Sequence, residues 1–464
     1  MTPSLLVLVA AIGLTTSSDG PSESRPAQAT LAQAGRAQAQ AAPPAPAGGA
    51  VRLTLQDAIQ RALEASHRLA EIRARQSGAD ASVQSGQASG RPQVAVVAGY
   101  TRTNHVDEFG IPLPTGALRV IYPDIPDNYR TRLDLQWPVY TAGRVDALVR
   151  AAAAEREATG KDLEAARADL RLEVTRAFWA LVTATESVRV VEQSLGRMDA
   201  QLADVRNRQQ VGLVAPSDVL IVEAQRSRQQ LLLIEARNTR DVAAADLKRL
   251  TGIPQESPVG TDATLDAPAA PAATAADLVA AARSGRPERQ AIERRVAGAQ
   301  ARADAVAAGS RPVIAVAGGV DYARPNPRIF PRSAEWAHSW DLGVTLSWNL
   351  WDGGRVKAGV AEAAAAKLAL SERLKEFDSV LDLEVRQRRL DLDAAREAIG
   401  VAEAALRSAA EARRVLGERF AAGTATSTEV LDAQVGLLQA DLDRTRALAN
   451  SRLAEARLER AVGR

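Results

Sequence analysis

Shifted by 211 residues, the chain lies on itself. Trp137 falls on Trp348, Gly143-Arg144-Val145 on Gly354-Arg355-Val356, and Leu172-Glu173-Val174 on Leu383-Glu384-Val385. The match runs without a gap from about Leu133 to Glu223. Upstream, "GRPQVAVVAGY" (90–100) matches "SRPVIAVAGGVDY" (310–322) with a small indel between. A chain built twice from one unit has few folds open to it, so the repeat is read before any single element. Each copy reads as helix, short strand, loop, strand, very long helix, turn, helix. The copies span residues 51–252 and 276–464, joined by an Ala/Pro-rich linker at 253–275.

The strands are clearest in the second copy. In "WDLGVTLSWNL" (340–350), Trp340, Leu342, Val344, Leu346, Trp348 and Leu350 alternate with Asp341, Gly343, Thr345, Ser347 and Asn349. In "YRTRLDLQW" (129–137), Arg130, Arg132, Asp134 and Gln136 oppose Tyr129, Thr131, Leu133, Leu135 and Trp137. Period two predicts a sheet with one apolar and one polar face. Nine to eleven residues is also about the length of a tilted membrane-spanning strand. All five Tyr and five of the six Trp lie within 92–140 and 312–351. Such clustering fits a membrane–water interface, where the ring prefers the apolar side and its N–H or O–H prefers water. Trp137, Tyr140, Trp340, Trp348 and Trp351 are the candidate interface aromatics. An ordinary half-buried sheet is the other reading. Four strands cannot close a barrel, and open edges in a bilayer leave costly unpaired N–H and C=O groups. If these strands span a membrane, several chains share one barrel.

Sharp turns at "YTAGRV" (140–145) and "WDGGRV" (351–356) lead into long helices. The first, from about Val145 to Val211, would run ~100 Å at 1.5 Å per residue. Val174, Leu181, Val188, Leu195 and Leu202 recur every seven residues, with Ala177, Ala184, Val191, Met198 and Val205 three later. The second copy keeps the register at Val385, Leu392, Ile399 and Leu406. This is coiled-coil spacing. Each helix ends in an echoed motif, "VGLVAPSDVL" and "AAGTATSTEVL", with Gly212 and Gly423 placed for left-handed caps. Ser217 or Pro216, and Ser427 or Thr428, start the returning helices. Each motif is thus the tip of a helical hairpin.

Composition excludes several classes. Net charge is +2 with 25% charged residues, which gives no footprint for nucleic acid. There is no Cys, hence no disulfide, thiolate metal site, Cys nucleophile or lipidated N-terminal Cys. His67, His105 and His338 are scattered, "DGGR" (352–355) lacks the P-loop Lys, and acidic side chains on the helices mostly face Arg, as Glu411 faces Arg414. No catalytic, metal or cofactor constellation is present, and no enzyme is expected. No apolar run reaches the 18 residues of a membrane-spanning helix. The run Leu5–Leu14 has the length of a signal-peptide core, although no Lys or Arg precedes it. Residues 1–50 are therefore expected to be a signal peptide and a disordered Ala/Pro/Gln-rich leader.

The leader, the duplicated strand–strand–long-helix unit, the "GR" after each second strand and the Gly-x5-[DE]-V-L tips together resemble the TolC-like outer-membrane efflux protein family, over about residues 51–464. The resemblance implies a mainly α fold with a small β part. Long antiparallel coiled-coil helices would form an α-barrel through the periplasm, with the inter-repeat linker at its equator. Four strands per chain would contribute to a twelve-stranded barrel shared by a homotrimer in the outer membrane. It implies partners at the tunnel's far end: a periplasmic adaptor (membrane fusion) protein and an inner-membrane transporter. Val211, Gly212, Leu213, Gly423 and Thr424 would be the adaptor-contacting tips. Glu429 and Asp432, three apart on one helix face, would ring the periplasmic mouth; a carboxylate complementing its own helix terminus is the other reading of Glu429. Better-known members close the mouth with a Tyr and an Arg of the second hairpin bonded to an acidic residue at the first tip. The matching residues are Phe420, Ala425 and Asp218, and neither Phe nor Ala can make those bonds. The expected function is passive export of small molecules. Alternatives are the duct of a type I protein secretion system, or a soluble coiled-coil scaffold.

Overall fold

The computed structural model describes residues 51–267 and 274–463. The expected leader (1–50) and part of the linker (268–273) lie outside the described residues. In chain order the elements are β1 (Val51–Leu53), α1 (Leu55–Ala65), α2 (His67–Ala88), β2 (Gln93–Arg102), β3 (Phe109–Pro112), β4 (Leu118–Tyr122), β5 (Asp127–Tyr140), α3 (Arg144–Gln210) and α4 (Pro216–Thr251). The second copy follows as β6 (Val259–Thr261), α5 (Ala275–Gly285), α6 (Pro287–Ala307), β7 (Val313–Arg324), β8 (Ala337–Ser347), α7 (Arg355–Ala421) and α8 (Ser427–Val462). Adding 211 to the bounds of α3 and α4 returns the bounds of α7 and α8.

Strands β2, β5, β7 and β8 form one antiparallel sheet in that order. Its helix ends lead into a layer of matching order: α2 packs on α3, α3 on α6, and α6 on α7. Farther along α3 and α7 the layer becomes α4–α3–α8–α7, with α4 and α8 replacing α2 and α6. The chain therefore makes a ribbon with two long sides. One side carries β2, α2 and α4, and the other carries β8 and α7.

The long helices form because their sequence has no Pro and repeats small apolar residues at coiled-coil spacing. In α3, Val174, Leu181, Val188 and Leu202 are buried, as are Ala177, Ala184, Val191, Met198 and Val205. Where α3 passes α1, α2 and α4, Phe178 and Val174 pack with Leu53, Ala58, Ala62, Leu69, Leu247 and Leu250. Thr54 with Asp57, and Thr274 with Asp277, form reciprocal capping boxes that start α1 and α5. At the far end of α8, Arg460 pairs with Asp169 (2.7 Å) and Glu288, and Arg286 donates to the Arg460 carbonyl (2.9 Å). These bonds tie α8 to α3 and α6 and occupy its last carbonyls.

Four details differ from the sequence reading. Residues 104–128 are not only loop, since β3 and β4 pair there as a hairpin. Strand β8 begins and ends three residues earlier than the alternation, so Trp348 and Leu350 lie beyond it. Short pieces at Val51–Leu53 and Val259–Thr261 pair in parallel, inside what composition marked as leader boundary and linker. The second returning helix is capped by Thr426 rather than Ser427 or Thr428.

Candidate functional site

The sheet has two unlike faces. Registered across it, Val96, Leu133, Val320 and Trp340 share the apolar face, with Val94, Leu135 and Leu342 one pair further along. These large side chains are exposed or half-buried, because among the described residues no element packs on them. From Tyr129 to Trp137 the strand advances ~26 Å at 3.3 Å per residue. At the usual tilt of about 40° that length rises ~20 Å, most of an apolar band about 25 Å tall. Aromatics mark both ends. On the loop side, Tyr100, Tyr129, Trp336 and Tyr322 make a run of ring contacts at 5.0, 5.9 and 4.9 Å. On the helix side, Trp137, Tyr140, Trp348 and Trp351 are all exposed. Trp348 donates its indole N–H to the Ser310 carbonyl at 3.0 Å. Trp340 lies nearer the loop end, beside Val320.

The opposite face is polar and cross-linked. Arg132 bonds Asp134 (2.5 Å), Asp341 (2.9 and 3.2 Å) and Asp321, and Arg130 donates to Asp321 at 2.6 Å. Sequence alternation placed Arg130, Arg132, Asp134 and Asp341 on one face. It missed Asp321, which joins the two copies and sits in a strand whose alternation is broken by Gly318 and Gly319.

Both sides of the ribbon are unfinished. Strands β2 and β8 each have one hydrogen-bonded neighbour. Beside β2, helix α4 exposes Leu220, Leu231, Ile234 and Val242, which fall within an arc of ~80° at 3.6 residues per turn. Beside β8, α7 exposes Leu368, Leu383, Leu390, Val401 and Val415 within ~60° by the same arithmetic. A monomer gains nothing from such stripes, and long apolar stripes on both sides mark an interface.

The two hairpin tips close alike. Gly212 (φ 74°) and Gly423 (φ 75°) adopt the left-handed conformation that favours glycine. The amides of Leu213 and Thr424 return to Arg208 and Arg419 carbonyls, each at 2.8 Å. Their surfaces differ. Val211 and Leu213 are 69% and 72% exposed, whereas the second tip presents Thr424 and Thr426. Phe420 is buried among Met198, Leu202, Val205, Val222, Val430 and Leu431, with Ala425 packed on the same cluster. Both hairpins thus meet at Phe420. Asp218, half-buried in the first turn of α4, receives no hydrogen bond from either residue, as their chemistry requires.

A link the sequence did not suggest holds this cluster. Arg208 lies 4.5 Å over the Phe420 ring and donates to the Phe420 carbonyl at 3.1 Å. Its partner lies 212 residues away, so no local spacing signals it. Glu429 accepts from the Thr426 amide (2.7 Å) and hydroxyl (2.9 Å). These bonds, the backbone N–H foremost, hold its carboxyl below the usual glutamate range. The helix-terminus reading of Glu429 is thus realised in its geometry. Asp432 is exposed one turn on.

Comparison with known proteins agrees with this geometry. The model of the family described as "Outer membrane efflux protein" matches residues 58–253 and 278–464. The chain is 23% identical to the outer membrane protein TolC of Vibrio cholerae over 410 residues, 88% of this chain and 90% of that protein. Among solved structures, the outer membrane protein VceC of Vibrio cholerae superposes with a TM-score of 0.72 at 19% identity, covering 88% of this chain and 96% of that one. The MtrE outer membrane channel of Neisseria gonorrhoeae, in its open state, also gives 0.72 at 19% identity, covering 88% of each chain.

Proposed function

The chain belongs to the outer membrane efflux protein family, and on that premise we propose that three copies assemble into one passive duct through which small molecules leave the cell. The protein sits in the outer membrane and extends into the periplasm, as its family does. The observation that carries the trimer is the matched pair of open sides. The β2 edge of one copy takes the β8 edge of the next, and the α4 stripe takes the α7 stripe. A contact between unlike surfaces either closes into a ring or grows into a filament. In a bilayer only the closed ring satisfies the edge amides. Three copies of the four-stranded sheet make a twelve-stranded barrel, with the apolar face toward lipid and the Arg130–Arg132–Asp321 face toward water.

The same arrangement puts six hairpin tips at the periplasmic end, where they are offered to an adaptor fed by an inner-membrane transporter. The exposed Val211 and Leu213 support docking at the first tip. The carboxylates Glu429 and Asp432 support a cation-attracting mouth at the second. The described first part of the linker, residues 253–267, packs at mid-helix, and Leu265 touches the clusters around both Phe178 and Leu448. That position supports the reading of an equatorial belt dividing two repeats. Native mass spectrometry of the purified protein tests the assembly, with three copies expected. Single copies or open-ended series would overturn it.

A further inference from the structure

The polar face of the sheet is open except at its outer end. There Asp321 and Ala323 are only 2% and 1% exposed. What covers them is the first part of the connection from β7 to β8, which folds back over the polar face before Trp336 returns to the apolar one. Asn326, itself buried, donates to the Ala337 carbonyl (3.0 Å) and the Ser339 hydroxyl (3.1 Å). Arg328 donates to the Trp340 carbonyl (2.8 Å) and pairs with Asp341 (2.9 Å), the carboxylate that Arg132 also holds. Arg332 crosses to the first copy and donates to the Tyr122 hydroxyl at 2.8 Å. Pro325, Pro327 and Arg332 share with Val97, Arg130 and Arg132 the walls of one cavity of about 370 Å³. Loop residues and inner strand residues lining one space place the loop inside the curve of the sheet.

We infer that residues 325–332 form a strap across the inside of the barrel's outer end, fastened by Arg328, which sets the size of solute able to leave. The inference deepens the duct reading and rests on it, since the polar face is the inside only in a closed barrel. In a trimer three straps approach one axis. Each is anchored on a network of three arginines (130, 132, 328) and three aspartates (134, 321, 341), whose charges cancel. A fully partnered charged network is rigid, because moving any member leaves another unpaired in a partly desolvated site. The strap is therefore a fixed aperture rather than a waving loop. It differs from the periplasmic mouth, which the hairpin tips form at the other end.

The absence of Cys allows a direct test, because any introduced thiol is the sole one. Ala317 is exposed on the polar face, four residues toward the helices from Asp321. Ala117, exposed beside the turn of the β3–β4 hairpin, reports the outer surface. Intact cells carrying Ala317→Cys or Ala117→Cys would be treated with a small charged maleimide or with a maleimide on a large poly(ethylene glycol). Ala317→Cys should react with the small reagent and resist the large one, while Ala117→Cys reacts with both. Adding Arg328→Ala with Asn326→Ala should speed the large reagent at Ala317→Cys at least about ten-fold, the scale of losing one charge-assisted hydrogen bond. Trimers should remain intact by native mass spectrometry. Equal rates for the two reagents at Ala317→Cys in the otherwise native protein, or no change with the double substitution, would overturn the strap alone. An Ala317 thiol closed to both reagents, beside a reactive Ala117 thiol, would overturn the duct reading with it.

Discussion

Helices α3 and α7 are the same helix written twice, and they have opposite fates. Each is 67 residues long, and each carries the same heptad register. Yet α3 is buried along its length, from Ala147 to Val205, while α7 buries only Leu381, Val385, Leu392, Ile399 and Phe420. The difference is position in the layer. Helix α3 lies inside, between α2 or α4 on one flank and α6 or α8 on the other. Helix α7 lies at the side, and half of its seam faces nothing within the protomer. A heptad pattern therefore announces that a seam exists, without saying whether the same chain fills it. In a duplicated chain that closes into a ring, the same long helix serves as core in one copy and as interface in the other.

The strongest way to break that comparison is to charge both helices. Val174 is fully buried. Val174→Asp strands a carboxylate in the core of the protomer, at a cost on the order of several kcal/mol. The expected outcome is little folded protein by circular dichroism and none in the outer membrane. Leu390→Asp on α7 sits on the exposed stripe, so it should leave helix content intact and abolish the trimer in native mass spectrometry. A trimer that survives Leu390→Asp, or a fold that survives Val174→Asp, would show that core and interface are not divided as argued.

How much of this was legible in the sequence follows from the range of each interaction. The repeat, the alternating strands, the long helices and the glycine tips rest on patterns within a few residues or on self-comparison, and the structure places them within a few residues of expectation. Positions such as Leu390 and Leu231 were not singled out, because heptads look alike whether a seam is filled by the same chain or by another. Asp321 and Arg208 escaped for a related reason. Their partners lie about two hundred residues away in the other copy, and only the folded sheet and hairpins bring them together. The β3–β4 hairpin was hidden by four prolines across residues 104–128, which read as loop even though Pro112 can end an edge strand.

The tips extend the contrast at lower energies. Val211→Asp puts charge on the apolar first tip and should weaken co-purification of an adaptor, leaving channel conductance unchanged. Glu429→Ala with Asp432→Ala should lower cation selectivity in planar bilayers and leave adaptor binding intact. The opposite pattern would exchange the roles of the copies. Smaller still is the difference between Arg208 and Arg419, equivalent residues in the two copies. Arg208 crosses to the other hairpin, where its place on Phe420 is worth roughly 1–2 kcal/mol. Arg419 stays at home and bonds the Thr424 carbonyl of its own tip at 3.1 Å. Arg208→Ala should therefore raise single-channel conductance or open time, and Arg419→Ala should not. Equal effects would mean that the crossing contact does not hold the hairpins together.

The smallest expected effect lies in how the two returning helices begin. Helix α8 starts with Thr426 and Glu429 bonded to each other's backbone, whereas α4 starts after Ala215, which has no side chain to cap with. Ala215 already has the extended backbone of a capping residue (φ −73°, ψ 150°), and Asp218 stands three residues on. Ala215→Thr should thus complete a second capping box and stabilise the first tip by about 1 kcal/mol, while Thr426→Ala should loosen the second by a similar amount. Hydrogen exchange at residues 217–220 and 428–431 reads both. The second box also titrates. Because folding depresses the Glu429 pKa, its contribution is present above the ordinary glutamate range and is lost as pH falls through the lower folded value. Exchange at 428–431, corrected for the intrinsic rate, should therefore quicken on acidification below about pH 4. Thr426→Ala keeps the backbone N–H bond to Glu429 and loses only the hydroxyl bond, so that extra quickening should shrink, while Glu429→Gln should abolish it. If it persists in Glu429→Gln, the pH response of this turn belongs to another group and the capping assignment fails.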